Sequence, residues 1–309
     1  MNIHSLQAPG AVVMIRPHRF HPNPETAQDN GFQSSAGSRG AADIAAMAYA
    51  EAGTAAERLR EAGVEVHLFE DHGERDTPDS VFPNNWFSTH GGGHVALYPM
   101  YSPNRRRERR GDVIEMLKSR YRVQDVIDYS GLEPDGLFLE GTGAMVLDHA
   151  ERVAYTARSN RASEVMLERF CTHFNFEPLV FSTEGEDGRP TYHTNVMMCI
   201  ATQFAMVGFD LISEPARRAE VRRRLEHSGR SVIDLSLRQI ASFAGNAMEL
   251  TGKQGRVLAL SSRAADSLTR EQRNLIEKSA QLLPLAVPTI ELAGGSVRCM
   301  LAGIHLSKR

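Results

Sequence analysis

Cysteine is scarce in this chain of 309 residues, with only Cys171, Cys199 and Cys299. An odd, sparse set with no CxxC pair argues against a disulfide framework and against a zinc site. It suits a reducing compartment, and MNIHSLQAPG lacks the basic-then-apolar pattern of a secretory leader, so a cytoplasmic location is expected. No apolar run approaches the roughly 18 residues of a membrane-spanning helix. An excess of one charge is missing too: 35 Lys and Arg against 38 Asp and Glu leave a net charge of −3. That balance gives no basis for a nucleic-acid or membrane partner. The apolar fraction of 41% is that of a globular protein, and the length allows one large domain; residues 1–309 are expected to form it.

What the chain has in quantity is a repeated unit. Hairpin patterns, each an apolar run, a polar or Gly-containing turn and a second apolar run, cover 84–99, 141–157, 193–210 and 245–261. A fifth begins at GGSVRCMLAGIHL (294–306), and its partner is expected to be the N-terminal AVVMIRP (11–17). Helical segments rich in Ala, Glu, Arg and Leu are expected near 41–63, 104–120, 160–174, 213–227 and 269–282. Each is followed by a single strand: VEVHLF, RVQDVIDY, FEPLVF, SVIDLS and LAVPTIEL. Five such units predict an α/β ring of five ββαβ blades, closed by pairing the last unit with the first strand. The first strand of each hairpin would then lie near the axis. Residues at its start would meet at one end of a central channel.

Those starts carry chemistry. Cys299 follows a Gly pair, where backbone can approach a ligand, and is the candidate nucleophile. Cys171 in LERFCTHF and Cys199 in MMCIA read as small buried apolar residues. His193 opens a strongly apolar strand and is the candidate proton carrier. Most other histidines, including His18, His21, His72, His90 and His94, fall in polar loops and are expected to be solvated. Glu140, between GLFL and GTG, is costly to bury unpaired, and its expected role is to orient His193. PDSVFPNNW adds Asp79, Asn84 and Asn85, and YHTN adds Asn195.

In order, PDxVF–NN, EGT, H-x-N and GG-x-x-x-C resemble the guanidine-modifying superfamily of arginine deiminase, dimethylarginine dimethylaminohydrolase and the amidinotransferases. The resemblance covers nearly the whole chain. MIRPHRFHPNPETAQDNGFQ is most similar to the arginine deiminase-related branch of citrulline-utilisation hydrolases. It implies the pentein fold, a five-bladed propeller with pseudo-five-fold symmetry. It also implies Cys299 as nucleophile, His193 as acid and base, and Glu140 beside the His; no cofactor or metal is expected. Two arginines for a substrate carboxylate are implied at Arg105 (PNRRRE) and Arg158 (TARSN), and Asp79 near a substrate amino group. The remaining arginines of RRRERR are read as a solvated helix start.

The chain departs from the family's hydrolases where they carry VED and H-x-D, having PNN and H-T-N instead. A guanidinium offers only N–H donors and a positive charge, so carboxylates suit it. A ureido group is neutral and offers a C=O beside its N–H donors, and an asparagine amide matches that pattern. The expected substrate is therefore a small ureido amino acid, citrulline, cleaved to ornithine, CO2 and ammonia through a thioester on Cys299. A guanidino substrate, as for a deiminase or dimethylaminohydrolase, is the nearest rival. A non-catalytic ring used as a binding module is the rival of another class. A homo-oligomer is compatible with the sequence, and the Gly- and Ser-rich loop 33–40 is expected to be mobile.

Overall fold

A computed structural model describes residues 6–309 except 36, 38, 39, 186 and 187. The strands in chain order are β1 (Ala11–Pro17), β2 (Glu65–Asp71), β3 (Phe87–His90), β4 (His94–Leu97) and β5 (Asp125–Asp128). They continue with β6 (Met145–Asp148), β7 (Val153–Ala157), β8 (Glu177–Phe181), β9 (Met198–Ile200) and β10 (Phe204–Val207). The last five are β11 (Ser231–Asp234), β12 (Met248–Gly252), β13 (Gly255–Ser261), β14 (Gln281–Leu285) and β15 (Ala302–Gly303). They form five sheets of three strands among the described residues: β3-β4-β5, β6-β7-β8, β9-β10-β11, β12-β13-β14 and β15-β1-β2. In each, an antiparallel hairpin is extended by a third strand parallel to the middle one. The N-terminal strand takes its expected place, with Val12 opposite Gly303 and Val13 opposite Ala302.

A helix precedes each third strand, as a parallel connection requires: α1 (Ala41–Glu61), α2 (Gly111–Arg120), α3 (Glu164–Phe174), α4 (Pro215–His227) and α5 (Arg270–Glu277). In α1, Ile44, Ala48, Ala52, Ala55 and Leu59 are buried. That spacing makes one face, which packs on β1 and β2. The helix stops before Gly63, whose φ of +88° favours glycine, and a Cβ there would strike the Lys253 backbone in the β12–β13 turn.

Three expectations on the elements are corrected. The segment 104–120 is two helical pieces, Pro103–Arg106 and α2, with Arg110 extended between them. The fifth helix ends at Glu277, and the strand after it is Gln281–Leu285, whereas Ile290–Ala293 is a 3-10 turn. Pro284 is tolerated in β14 because that strand is a sheet edge. Cys299 is not on a strand but in the helical turn Val297–Met300. Ser34 and Ser35 of the 33–40 loop are described and Ser34 bonds the Leu292 carbonyl, while 36, 38 and 39 lie outside the described residues.

The first strands of the hairpins are largely buried and meet one another, β15 with β3, β6 with β9, and β9 with β12. Short turns lead into them: Pro83–Asn85, Gly141–Ala144, Thr194–Val196 and Val297–Met300. These turns, and not the strands, carry the residues singled out above.

Candidate active site

Cys299, His193, Asn85 and Asp79 line one small cavity, with open space of about 10 Å³. Each is almost fully buried. The turn Gly141–Ala144 lies between the turns of Asn85 and His193. A side chain at Gly143 would collide with the Asn85 amide and come within 2.8 Å of His193 Nδ1. Only glycine lets these turns close on one another.

Glu140 is fully buried just before that turn, and its Oε2 accepts from His193 Nε2 at 2.8 Å. That bond fixes the tautomer and leaves Nδ1 as the basic nitrogen. Burial by itself would raise the Glu140 carboxyl, but Arg161, His193 and Arg105 outweigh it and hold it well below the usual carboxylate range. Burial lowers His193 to about 4 against the pull of Glu140, so its resting imidazole is neutral near pH 7. A neutral imidazole beside an ionised carboxylate is a base whose protonated form is already compensated.

The sulfur of Cys299 is held by two amides, Asn195 Nδ2 at 3.4 Å and Asn246 Nδ2 at 3.2 Å. Asn246 also accepts from the backbone N–H of Ser296 and Cys299 and donates to the Asn195 carbonyl. It therefore ties the turn of the sulfur to the turn of the histidine. Asn246 was not among the sequence candidates. The signal was present: it begins the fourth hairpin, GNAMEL, as Asn85 begins the first. Cys171 and Cys199 are buried, and burial pushes both thiols up to about 12. They are inert where Cys299 is cradled by donors.

Two buried arginines complete the wall. Arg105 donates to Asn85 Oδ1 at 3.0 Å and doubly to Glu108, and lies 3.5 Å from Glu140 and 3.7 Å from Asp79. Burial would lower it, but Glu108, Asp79 and Glu140 raise it. Burial pushes Glu108 up to about 7 even beside Arg105. Arg161 grips Asp29 with two nitrogens and reaches Glu140 at 3.4 Å. Two polar atoms facing this assembly have no protein partner among the described residues, Asp79 Oδ1 and Asn85 Nδ2. Burial raises the Asp79 carboxyl, with Arg105 and Asn23 opposing.

Some expectations are not met. Arg158 does not line the cavity; its side chain is 43% exposed and bonds Glu164 and Ser182. Arg161, three residues on, lines it instead, together with Arg105. Asn84 is fully buried behind the cavity, with both amide atoms unpartnered, and Asn195 is engaged with the sulfur. His90 is not solvated: it is buried and bonds Ser88 Oγ at 2.7 Å. Among the described residues no cluster of His, Cys, Asp and Glu could hold a metal ion, and no helix is long and apolar enough to cross a membrane.

The site is a buried thiol and an imidazole–carboxylate pair beside a cavity walled by guanidinium and carboxylate groups, and comparison with known proteins places the chain in the pentein superfamily of guanidino-modifying enzymes. A family model described as N,N dimethylarginine dimethylhydrolase, eukaryotic, matches residues 16–306, and the chain belongs to that family. Its homologues are hydrolytic enzymes acting on guanidino carbon–nitrogen bonds. Among solved structures, the N-terminal domain of ArgZ, an arginine dihydrolase of the ornithine–ammonia cycle in cyanobacteria, is similar at a TM-score of 0.71 and 15% identity. It was solved bound to substrate, and the match covers 95% of this chain and 97% of that one. AgrE, solved with ornithine and NAD+, gives a TM-score of 0.74 at 16% identity over 99% of this chain and 40% of its own. A dimethylarginine dimethylaminohydrolase carrying an S-methyl-L-thiocitrulline adduct gives 0.62 at 13% identity over 95% and 98%. A sequence search of the curated proteins gave no match.

Proposed function

We propose that residues 1–309 form one catalytic domain, five blades about a common axis with pseudo-five-fold symmetry, that hydrolyses the ureido group of citrulline. Cys299 gives its proton to His193 Nδ1, and the thiolate attacks the ureido carbon. The imidazolium, compensated by Glu140, protonates the departing δ-nitrogen, and ornithine leaves a carbamoyl thioester. Water then gives a proton to His193 and attacks the thioester carbon. Carbamate departs, the sulfur recovers its proton, and carbamate falls to CO2 and ammonia. The sum is citrulline and water to ornithine, CO2 and ammonia.

The observation that carries the reading is the buried, unpartnered Asn85 Nδ2 in the cavity shared by Cys299 and His193. A spare N–H donor there has a match in a urea C=O and none in a guanidinium. The amide can also steady the oxyanion of the tetrahedral state, where one such donor is worth about 3 kcal/mol. Of the three asparagines expected to face the substrate, Asn85 alone supports the substrate argument, since Asn195 serves the sulfur and Asn84 lies behind. A second reading, a guanidino amino acid such as arginine, is favoured by the unpartnered Asp79 Oδ1 in the same cavity, which suits a cationic N–H donor.

Incubation with citrulline and with arginine, followed by amino-acid analysis, separates the two. Ornithine from citrulline supports the first reading. Citrulline accumulating from arginine, with citrulline itself unconsumed, supports the second and overturns the first.

A further inference from the structure

The turn Val297–Met300 faces two ways. Cys299 lines the cavity described above, while Arg298 lines a separate one, among residues of β6, β9 and β12 and the segment after β15. Its guanidinium makes one hydrogen bond, Nη1 to the Leu301 carbonyl at 3.1 Å, and no ion pair among the described residues. Arg105 and Arg161, fully buried, are raised by carboxylates that outweigh burial; Arg298, half-buried, is lowered by burial instead. A guanidinium does not shed its proton near neutral pH, so the positive charge stays and lacks a counterion.

The groups facing Arg298 do not supply one. His149 and His305 stack at 4.0 Å between centroids. The ring nitrogens of His149 have no hydrogen-bond partner among the described residues, and His305 leans on the Leu6 backbone. Behind His149 stand His90, at 6.3 Å between rings, and the charge of Arg152. From β9 comes the neutral Cys199 thiol. From β12 comes Glu249, the acid lining this cavity, which accepts from the Thr202 N–H and hydroxyl and pairs with Arg256 at 3.1 Å. The field is positive, and the open space, about 30 Å³, holds one or two water-sized groups.

The geometry points to a small-anion site, of halide size, formed by Arg298 with the stacked His149 and His305. An anion there supplies the missing counterion and favours protonation of the two rings. Burial holds both rings below the ordinary histidine value, and the anion lifts them back towards it; binding therefore strengthens as pH falls, and it stiffens the turn that carries Cys299.

The test is thermal unfolding of the whole chain in sodium chloride against sodium gluconate at equal ionic strength, at pH 6 and pH 8. Gluconate is too large for the cavity. The midpoint is expected to be higher in chloride, by on the order of 5 °C at saturation, with the larger difference at pH 6. Arg298→Gln and His305→Gln are each expected to lose the chloride-specific rise; if the first does not fold, the second decides. Equal midpoints in the two salts at both pH values overturn the proposal. So does a chloride rise that His305→Gln leaves intact.

Discussion

The two cavities on either side of the Cys299 turn both enclose arginine, and they neutralise it in opposite ways. Around Cys299, Arg105 and Arg161 are matched by Glu108, Asp79, Glu140 and Asp29. Around Arg298 no ion pair forms among the described residues, because Glu249, the acid of that cavity, is paired with Arg256. The first arrangement is pre-organised: its charges hold Glu140 ionised and keep His193 in one tautomer without help from solvent. The difference shows that buried charge in this protein is a property of the carboxylate network, and Glu140 is its centre, touching His193, Arg105 and Arg161 together.

Removing that centre is the severest way to break the comparison. Glu140→Gln leaves two buried guanidinium groups short of a counterion. It is expected to cost about 3–5 kcal/mol in denaturant unfolding. Turnover is expected to fall by roughly 10²–10⁴-fold, because the histidine loses its tautomer control. A variant with wild-type stability would show that the arginines are balanced without it.

Acid gives the next largest effect. Burial holds His193 and His305 at about 4, below their ordinary 6.5. Between those values the unfolded chain binds more protons than the fold, so stability is lost as pH falls from about 6.5 towards 4. Unfolding midpoints across that range are expected to drop steadily, and a flat profile would contradict the burial of these rings.

Asn246→Ala sharpens the contrast from the sulfur side. It leaves the Ser296 N–H without its acceptor, while the Cys299 N–H keeps only the Ser296 carbonyl, and is expected to cost about 1–3 kcal/mol of stability. It also frees the Cys299 sulfur, so kcat is expected to fall with KM little changed. Arg158→Ala is the smallest change. Its exposed ion pair is expected to contribute under about 1 kcal/mol, and kcat/KM is expected to stay at the wild-type value.

The repeat was legible because hairpin turns and apolar runs recur at even spacing, and that spacing brought Asp79, Asn85, Glu140, His193 and Cys299 together from remote segments. Asn246 occupies the same place in the fourth unit but stands outside the motifs that drew notice to Asn85 and Asn195. Arg158 and Arg161 differ only in which face of one short loop they occupy. Burial of that kind is set by tertiary packing and leaves no mark in composition. The same holds for RRRERR, where Arg105 and Glu108 turn inward and their neighbours reach towards solvent. The ends of the elements were least legible: the strand at 281–285 contains a proline, and the turns that carry the site residues are too short for any periodicity.

The most direct test is mass analysis of the chain quenched during citrulline turnover. The account predicts the mass of one carbamoyl group on the peptide that contains Cys299, with ornithine released and no adduct in Cys299→Ser. Ornithine produced by Cys299→Ser at the wild-type rate, with the peptide unmodified in both proteins, would contradict it.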